Sequence, residues 1–238
     1  MADRIGLVGG TVFHHQDFFK EAEKEKIETS FGPAMVVLTD RLVYVPRHGM
    51  GDDLYILPHK INHPANFSAL KKLEVTEVIG INSTGSLKIS LSPGTVVLPH
   101  DYICFSGVAT AVQDKSKHII PTLSQEVRSR IKAAAEATGV ELVDRGVYWQ
   151  TPGPRLETQA EIKLLADYAD IVGMTMASEA MVAQELGLEY ASICSVDNYA
   201  HGLSPTPLKE GEIGAKAAAN AEKIYKIVQA YLDLKPLK

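Results

Sequence analysis

The sequence predicts an α/β fold, and three observations support that prediction. Apolar runs of strand length alternate with helical patterns, and glycine, proline and polar residues separate them. Hydrophobic residues make up 45% of the 238 positions, which is enough to bury a sizeable core. No repeat, linker or low-complexity segment interrupts the chain, so we expect one domain over residues 1–238.

Residues 146–202 show the alternation most clearly. The first strand there ends at Trp149, and a Gly/Pro loop opens a helix at about Leu156. After it we predict a short strand over 171–174, a helix over 178–187 closed by its glycine, and an apolar strand over 188–196. Polar residues stand in the loops, where an open α/β sheet builds its ligand site. This pattern predicts a fold class and not a chemistry.

The rest of the chain adds elements of the same kind. We predict strands over 4–8, 41–45 and 75–81, and another strand that starts at Pro93. A charged, solvated helix is predicted over 20–28, and a second helix ends at about Lys72. Further helices are predicted over 124–138 and 209–234. Residues 82–87 are expected to form a loop after their strand.

Composition narrows the class of protein. The net charge of −5 lacks the basic excess expected of a nucleic-acid binder. Cys104 and Cys194 lie far apart in apolar runs, which predicts buried free thiols in a reducing compartment. A signal peptide is not apparent, and no apolar segment reaches the roughly 18 residues of a membrane span. We therefore expect a soluble, cytoplasmic protein that binds neither nucleic acid nor membrane.

Three short patterns have the chemistry of phosphate binding. Gly9-Gly10-Thr11 follows the first strand, where a glycine pair lets backbone amides converge on an anion and the Thr11 hydroxyl adds a donor. Arg47 and His48 follow another strand, and the guanidinium offers a planar set of donors suited to phosphate. Ser83 lies among small residues that suit close approach to phosphate or ribose. Each pattern also occurs in ordinary turns.

Six short motifs occur in the same order as in the purine nucleoside phosphorylase and methylthioadenosine phosphorylase family, and the chain resembles that family over nearly its whole length. They are Gly-Gly-Thr, Arg-His-Gly, the segment around Asn66, Gly-Ser-Leu, Gly-Pro-Arg and Met-Thr. The resemblance implies a single domain with a mixed, twisted central sheet flanked by helices. It also implies phosphorolysis of a purine nucleoside to free base and a ribose 1-phosphate derivative. Inorganic phosphate would be the co-substrate, with no metal or organic cofactor, and the assembly a homotrimer or homohexamer.

The resemblance also assigns individual residues. It implies that phosphate is bound by Thr11, Arg47, His48, Ser83 and Thr175. Met174 would lie against the ribose, and His118 would reach the site of a neighbouring subunit. Asp52 and Asp53 stand where relatives often have a histidine near the sugar 5′ end, so the 5′ substituent, hydroxyl or methylthio, stays open.

The predicted base site favours 6-oxopurines. Leu156 and Glu157 occupy the position where the 6-oxopurine enzymes of this family have Phe-Glu. The loop from Ser195 to Ala200, which includes Asp197, replaces the Thr-Asp-Tyr-Asp of the adenine-specific branch, with Asn198 at the key position and Ala200 in place of the second Asp. An amide can donate to O6 or N7, and the Glu157 carboxylate can accept from N1–H, whereas adenine presents an unprotonated N1. We therefore expect inosine-type substrates, with inosine against guanosine left open.

Two alternatives come from the same residues. An adenine-directed methylthioadenosine phosphorylase is favoured by much of the sequence and opposed by Glu157, Asn198 and Ala200. A non-catalytic nucleoside-binding protein has the same fold but no use for a phosphate set such as Thr11, Arg47 and His48.

Overall fold

Strands and helices are interspersed along the chain, and from residue 147 onwards they alternate as the sequence predicts. The computed structural model describes residues 4–10, 19, 22–50, 55–106, 109–114, 116–204 and 212–234, with backbone alone over 212–218. The strands in this part of the chain are β1 (Ile5–Gly9), β2 (Glu23–Thr29), β3 (Gly32–Leu38), β4 (Leu42–Pro46), β5 (Glu77–Ser86), β6 (Val96–Leu98), β7 (Asp101–Ile103), β8 (Val143–Asp144), β9 (Val147–Gln150), β10 (Ile171–Gly173) and β11 (Glu189–Tyr199). The helices are α1 (His63–Lys72), α2 (Gln125–Thr138), α3 (Gln159–Tyr168), α4 (Met176–Leu186) and α5 (Glu212–Leu234).

The strands form one mixed sheet that branches at β5. The main path runs β2-β3-β4-β1-β5-β10-β9-β7, while β11 pairs with β5 and β6, and β8 pairs with β6. β5 is parallel to β1 and β11 and antiparallel to β10. The predicted mixed α/β fold is therefore confirmed.

The long strand β5 corrects the predicted loop at residues 82–87. Residues up to Ser86 stay in the sheet because the end of β11 pairs with them on one side and β10 on the other. The register of β11 against β5 shifts between Val196, which faces Thr84, and Asn198, which faces Gly85. Asp197 is the extra residue of this β-bulge, a feature that commonly re-aims side chains near active sites.

Helices cover both faces of the sheet. One buried cluster includes Phe67 of α1 and Met176 of α4, and a second includes Ile131 of α2 with Ile227 and Tyr231 of α5. Burial of these apolar side chains on both faces is the main stabilising contribution, at about 25 cal/mol for each Å² of apolar surface. Both faces are closed by helices, so a ligand site is left to the ends of the strands.

The charged segment predicted as a helix over 20–28 is wrong where the structure describes it. Residues 23–29 form β2, which pairs antiparallel with β3 through a tight turn. Its side chains are mostly exposed because β2 is the outer strand of the sheet path. Charged residues on such an edge discourage pairing with other chains, so here a charge-rich pattern marks an edge strand and not a helix face.

Local signals explain where the helices begin and end. The Gly/Pro loop leads into α3 three residues later than predicted, because Thr158 and Glu161 form a capping box. α4 begins before its predicted start and ends at Gly187 in the left-handed conformation. None of the described helices is long and apolar enough to cross a bilayer. Cys194 is buried and Cys104 is partly exposed, and both are free thiols.

Candidate active site

A cavity of about 300 Å³ opens at one edge of the sheet. The parallel strands β1, β4, β5 and β11 bring their carboxyl ends to this edge, and the N-terminus of α4 faces it. The residues predicted from sequence that line the cavity are Arg47, His48, Ser83, Leu156, Glu157, Met174, Thr175, Asp197, Asn198 and Ala200.

The two remaining predicted residues, Thr11 and His118, are absent from this list for different reasons. Thr11 lies outside the described residues, so its assignment stays a prediction. His118 is exposed and does not line the cavity of its own chain. The predicted contact of His118 with a neighbouring subunit is therefore a question of assembly.

Arg47 is buried in the cavity wall and paired with Glu179. Its Nε lies 2.6 Å from Glu179 Oε1, and the two side chains are 3% and 0% exposed. The terminal nitrogens donate to the carbonyls of Ile81 (2.7 Å) and Val8 (3.0 Å). These contacts engage three of the five N–H groups of the guanidinium and tie β4 to β1, β5 and α4. Arg47 is thus a structural centre of the site as well as a predicted phosphate contact.

Glu179 is held by further donors. The Tyr190 hydroxyl donates to its Oε2 over 2.7 Å. Burial raises the pKa of the Glu179 carboxyl, and Arg47, Tyr190 and Asn82 oppose that shift. Position 80 must be glycine, because a β-carbon there would overlap the Tyr190 hydroxyl.

Thr175, the N-cap of α4, is set up as a hydrogen-bond donor. Its hydroxyl accepts from Asn82 Nδ2 (2.8 Å), while Asn82 Oδ1 accepts from Ser192 (2.6 Å). The amides of Thr175 and Met176 both donate to the Tyr148 hydroxyl, which fixes the first turn of α4. Since its oxygen already accepts from Asn82, the Thr175 hydroxyl can turn its proton toward the cavity. The helix dipole adds a positive potential there.

The Ser83 hydroxyl has the opposite hydrogen-bonding role from that of Thr175: it presents an acceptor to the cavity. This hydroxyl donates to Asp197 Oδ2, and the Ser195 hydroxyl donates to Asp197 Oδ1. Asn220 of α5 also donates to that Oδ1 over 3.3 Å. Burial raises the pKa of Asp197, while the bonds from Ser195, Ser83 and Asn220 oppose the shift. All three partners are donors, an arrangement that matches an ionised carboxylate.

His48 is fixed by its backbone and ring contacts. Its Nδ1 donates to the carbonyl of Ile56 over 2.8 Å, which defines that ring nitrogen as the protonated one. The ring stacks on Tyr55 at 4.6 Å between centroids and 9° between planes.

The predicted base residues line the same cavity. Asp197 to Tyr199, predicted as part of a loop, are strand residues because the end of β11 pairs with β5 as far as Tyr199. Thr151 donates to Glu157 Oε1 over 2.6 Å, and His201 Nδ1 donates to the Glu157 carbonyl over 3.1 Å. Asn198 Nδ2 donates one hydrogen to the carbonyl of Tyr199 (2.8 Å). Glu157 keeps Oε2 and Asn198 keeps its second amide hydrogen for a ligand.

Sequence reasoning assigned no role in the site to four residues that shape it. Asn82 and His201 line the cavity, while Glu179 and Tyr148 hold its walls from behind. His201 follows the base loop directly and could have been found as its next polar residue. Glu179 and Tyr148 act through partners distant in sequence, and no local pattern points to those pairings.

The Arg47–Glu179 pair yields a stability prediction. Arg47→Met should lower the free energy of unfolding by about 3–5 kcal/mol, because it leaves a buried carboxylate without its counter-charge. Adding Glu179→Gln should recover part of that loss, since no buried charge remains. Denaturant unfolding of the two single variants and the double variant measures the coupling, and losses that simply add would contradict it.

The same variant should respond to pH. Without Arg47, burial raises the pKa of Glu179 further above its unfolded value, so the folded state binds more protons. The stability of Arg47→Met relative to wild type should therefore fall as pH rises from about 5 to about 8. In the double variant this pH dependence should disappear.

Comparison with known proteins identifies the family. Residues 4–233 match the Phosphorylase superfamily. The chain is 42% identical over 230 residues to a probable 6-oxopurine nucleoside phosphorylase of Archaeoglobus fulgidus, covering 94% of each chain. It is 36% identical to a probable S-methyl-5′-thioinosine phosphorylase of Methanocaldococcus jannaschii, covering 96% of this chain and 92% of that one.

A solved structure agrees in fold. The methylthioadenosine phosphorylase of Schistosoma mansoni in complex with adenine superposes with a TM-score of 0.88, covering 97% of this chain and 91% of that one, at 24% identity. The family predicted from six motifs is thus confirmed: the chain belongs to the phosphorylase superfamily.

Proposed function

We propose that this protein is a pentosyltransferase that cleaves 6-oxopurine nucleosides with inorganic phosphate. The observation that carries the proposal is one cavity lined both by groups suited to an anion, Arg47 and Thr175, and by the Glu157 carboxylate and the Asn198 amide. Its relatives with 42% and 36% identity are named for 6-oxopurine nucleosides and methylthioinosine, which are both 6-oxopurine substrates.

The chemistry follows from where charge develops. The glycosidic bond breaks through an oxocarbenium-like state, with positive charge on the sugar and negative charge on the departing purine. A phosphate anion held under C1′ stabilises the first charge, and donors on the purine stabilise the second. We assign the phosphate end to Arg47, His48, Ser83, Thr175 and, beyond the described residues, Thr11.

At the base end, Asn198 and Glu157 have complementary roles. The second amide hydrogen of Asn198 would donate to purine N7 or O6, where negative charge accumulates. Glu157 Oε2 would accept from N1–H, while Thr151 on Oε1 holds the carboxylate in place. Adenine offers N1 as a lone pair, and that mismatch with a carboxylate costs about 1–3 kcal/mol or more. Leu156, Ala200 and Met174 line the cavity. We assign Leu156 and Ala200 to its apolar walls and Met174 to the ribose.

The accompanying assignments are proposals of the same kind. No metal or organic cofactor is needed for this chemistry, because phosphate supplies the nucleophile and side chains supply the charge stabilisation. We also propose a cytoplasmic homotrimer or homohexamer in which His118, exposed in its own subunit, completes a neighbour's site.

Substrate preference is the direct test. Base release should depend on phosphate, and kcat/KM for inosine, guanosine or 5′-methylthioinosine should exceed that for adenosine or methylthioadenosine at least tenfold, about 1.4 kcal/mol. An assay of all five nucleosides with and without phosphate measures this. A preference for methylthioadenosine would favour the adenine-directed alternative, and tight nucleoside binding without base release the non-catalytic one.

Asn198→Asp tests the base assignment. The change replaces a donor by an anion that also faces the Tyr199 carbonyl, so activity on inosine should fall by about 10²–10³. Activity on adenosine should rise relative to activity on inosine. The KM for phosphate is the internal control and should stay near its wild-type value; an unchanged inosine-to-adenosine ratio would remove Asn198 from the base site.

Assembly can be tested separately. Sedimentation velocity at assay concentration should give the mass of a trimer or a hexamer. His118→Ala should then raise the KM for nucleoside while leaving the free energy of unfolding and the assembly unchanged, because the side chain is exposed in its own subunit. A fully active monomer would exclude a shared site.

A further inference from the structure

The two hydroxyl groups predicted to bind phosphate have opposite hydrogen-bond polarity. The Thr175 oxygen accepts from Asn82, which leaves its proton for the cavity. The Ser83 proton is taken by Asp197, which leaves lone pairs for the cavity. Both residues line the same cavity, and Ser83 is exposed to it.

The surroundings of Asp197 fix this polarity. Asn220 Nδ2 donates to the Ser195 oxygen (2.7 Å) and to the Val196 carbonyl (3.2 Å). The amide nitrogen of Asn220, and not its oxygen, therefore faces Ser195. The Ser195 proton is then directed to Asp197 Oδ1, and Ser83 is left to donate to Oδ2. Asp197 reaches this position because it is the extra residue of the β11 bulge, and it is 2% exposed.

We infer that the Ser83–Asp197 pair is an acceptor for a hydroxyl group of the ligand and sets its specificity. This inference rests on the proposed function. Two ligand groups have that chemistry: the P–OH of hydrogen phosphate and a hydroxyl of the ribose. Sulfate carries no proton near neutral pH, and its oxygens would meet the lone pairs of Ser83. A site built to accept from a hydroxyl discriminates strongly against an analogue that lacks it.

Asp197→Asn is the informative change. Ser195 and Asn220 still donate to the side-chain oxygen, so the new amide nitrogen faces Ser83 and donates to it. Ser83 then turns its own proton into the cavity and becomes a donor. The variant keeps the shape of the site and reverses one hydrogen bond.

The experiment has two arms that separate the two ligand groups. The first arm compares the inhibition constant of sulfate, measured in competition with phosphate, with the KM for phosphate. Arsenate, which carries a hydroxyl, is the positive control. The second compares 2′-deoxyinosine and 3′-deoxyinosine with inosine. In wild type we expect sulfate to bind on the order of tenfold or more weaker than phosphate, or a deoxynucleoside to react that much more slowly than inosine.

In Asp197→Asn the discrimination should collapse by on the order of tenfold in one arm. Collapse in the sulfate arm assigns the pair to phosphate, and collapse in the deoxynucleoside arm assigns it to ribose. If Asp197→Asn fails to fold, Ser83→Ala is the substitute test. It changes an exposed position and should weaken the same discrimination. Ser90→Ala, an exposed serine outside the cavity, is the matched control. Unchanged ratios in both arms for a folded variant would overturn the inference.

Calorimetric titration of phosphate and of sulfate keeps this result separate from the proposed function. It reports anion discrimination in the protein without nucleoside. Failure of phosphorolysis with intact phosphate-over-sulfate discrimination would overturn the proposed reaction alone. The inference alone would be overturned if the protein catalyses phosphorolysis, binds both anions equally, and shows the same deoxynucleoside-to-inosine rate ratios in Asp197→Asn as in wild type.

Discussion

The buried ion pair between Arg47 and Glu179 is the interaction on which the rest of the site depends. Arg47 reaches the carbonyls of Val8 in β1 and Ile81 in β5, and Glu179 belongs to α4 and accepts from Tyr190 of β11. Two charges removed from water cost several kcal/mol each unless they are paired and hydrogen-bonded. That requirement forces four strands and one helix to meet at one place, which is the wall of the cavity.

From this centre, polar side chains are arranged so that each has a defined donor or acceptor role. Ser192 orients Asn82, Asn82 orients Thr175, and Tyr148 fixes the start of α4. On the other side of β5, Asn220 and Ser195 orient Asp197, which in turn orients Ser83. Hydrogen bonds of this kind rigidify the residues they join, because breaking one bond leaves a buried polar group without a partner. The cavity is therefore preorganised before any ligand enters.

Preorganisation matters for the proposed reaction because charge appears on two groups at once. Donors fixed in advance stabilise a developing charge without reorganising during the reaction. In the proposed reaction Arg47 and Thr175 would stabilise the anion, and Glu157 and Asn198 would bind the base. Ser83 belongs to β5 and Asn198 to β11, and the bulge at Asp197 shifts the register between these two strands.

The sequence by itself determined the fold class, the order of most elements and the family. Alternating apolar runs, glycines at helix ends and six short motifs are local signals. Such signals can be recognised in the sequence without knowledge of the tertiary structure. Through the resemblance to the family, the sequence also named ten residues that line the cavity, and these lie in or after strands that meet at one sheet edge. It misjudged β2, where a charge-rich edge strand resembles a solvated helix, and the end of β5, which is a strand only because β10 and β11 pair with it.

Only the tertiary structure decided which polar groups face each other. The pairings of Arg47 with Glu179 and of Ser83 with Asp197 join residues more than one hundred positions apart. The proton of a serine or threonine hydroxyl follows its partners in space, so the same residue type is a donor at Thr175 and an acceptor at Ser83. Sequence can name the residues of such a site, but their polarity is set by the contacts that folding creates.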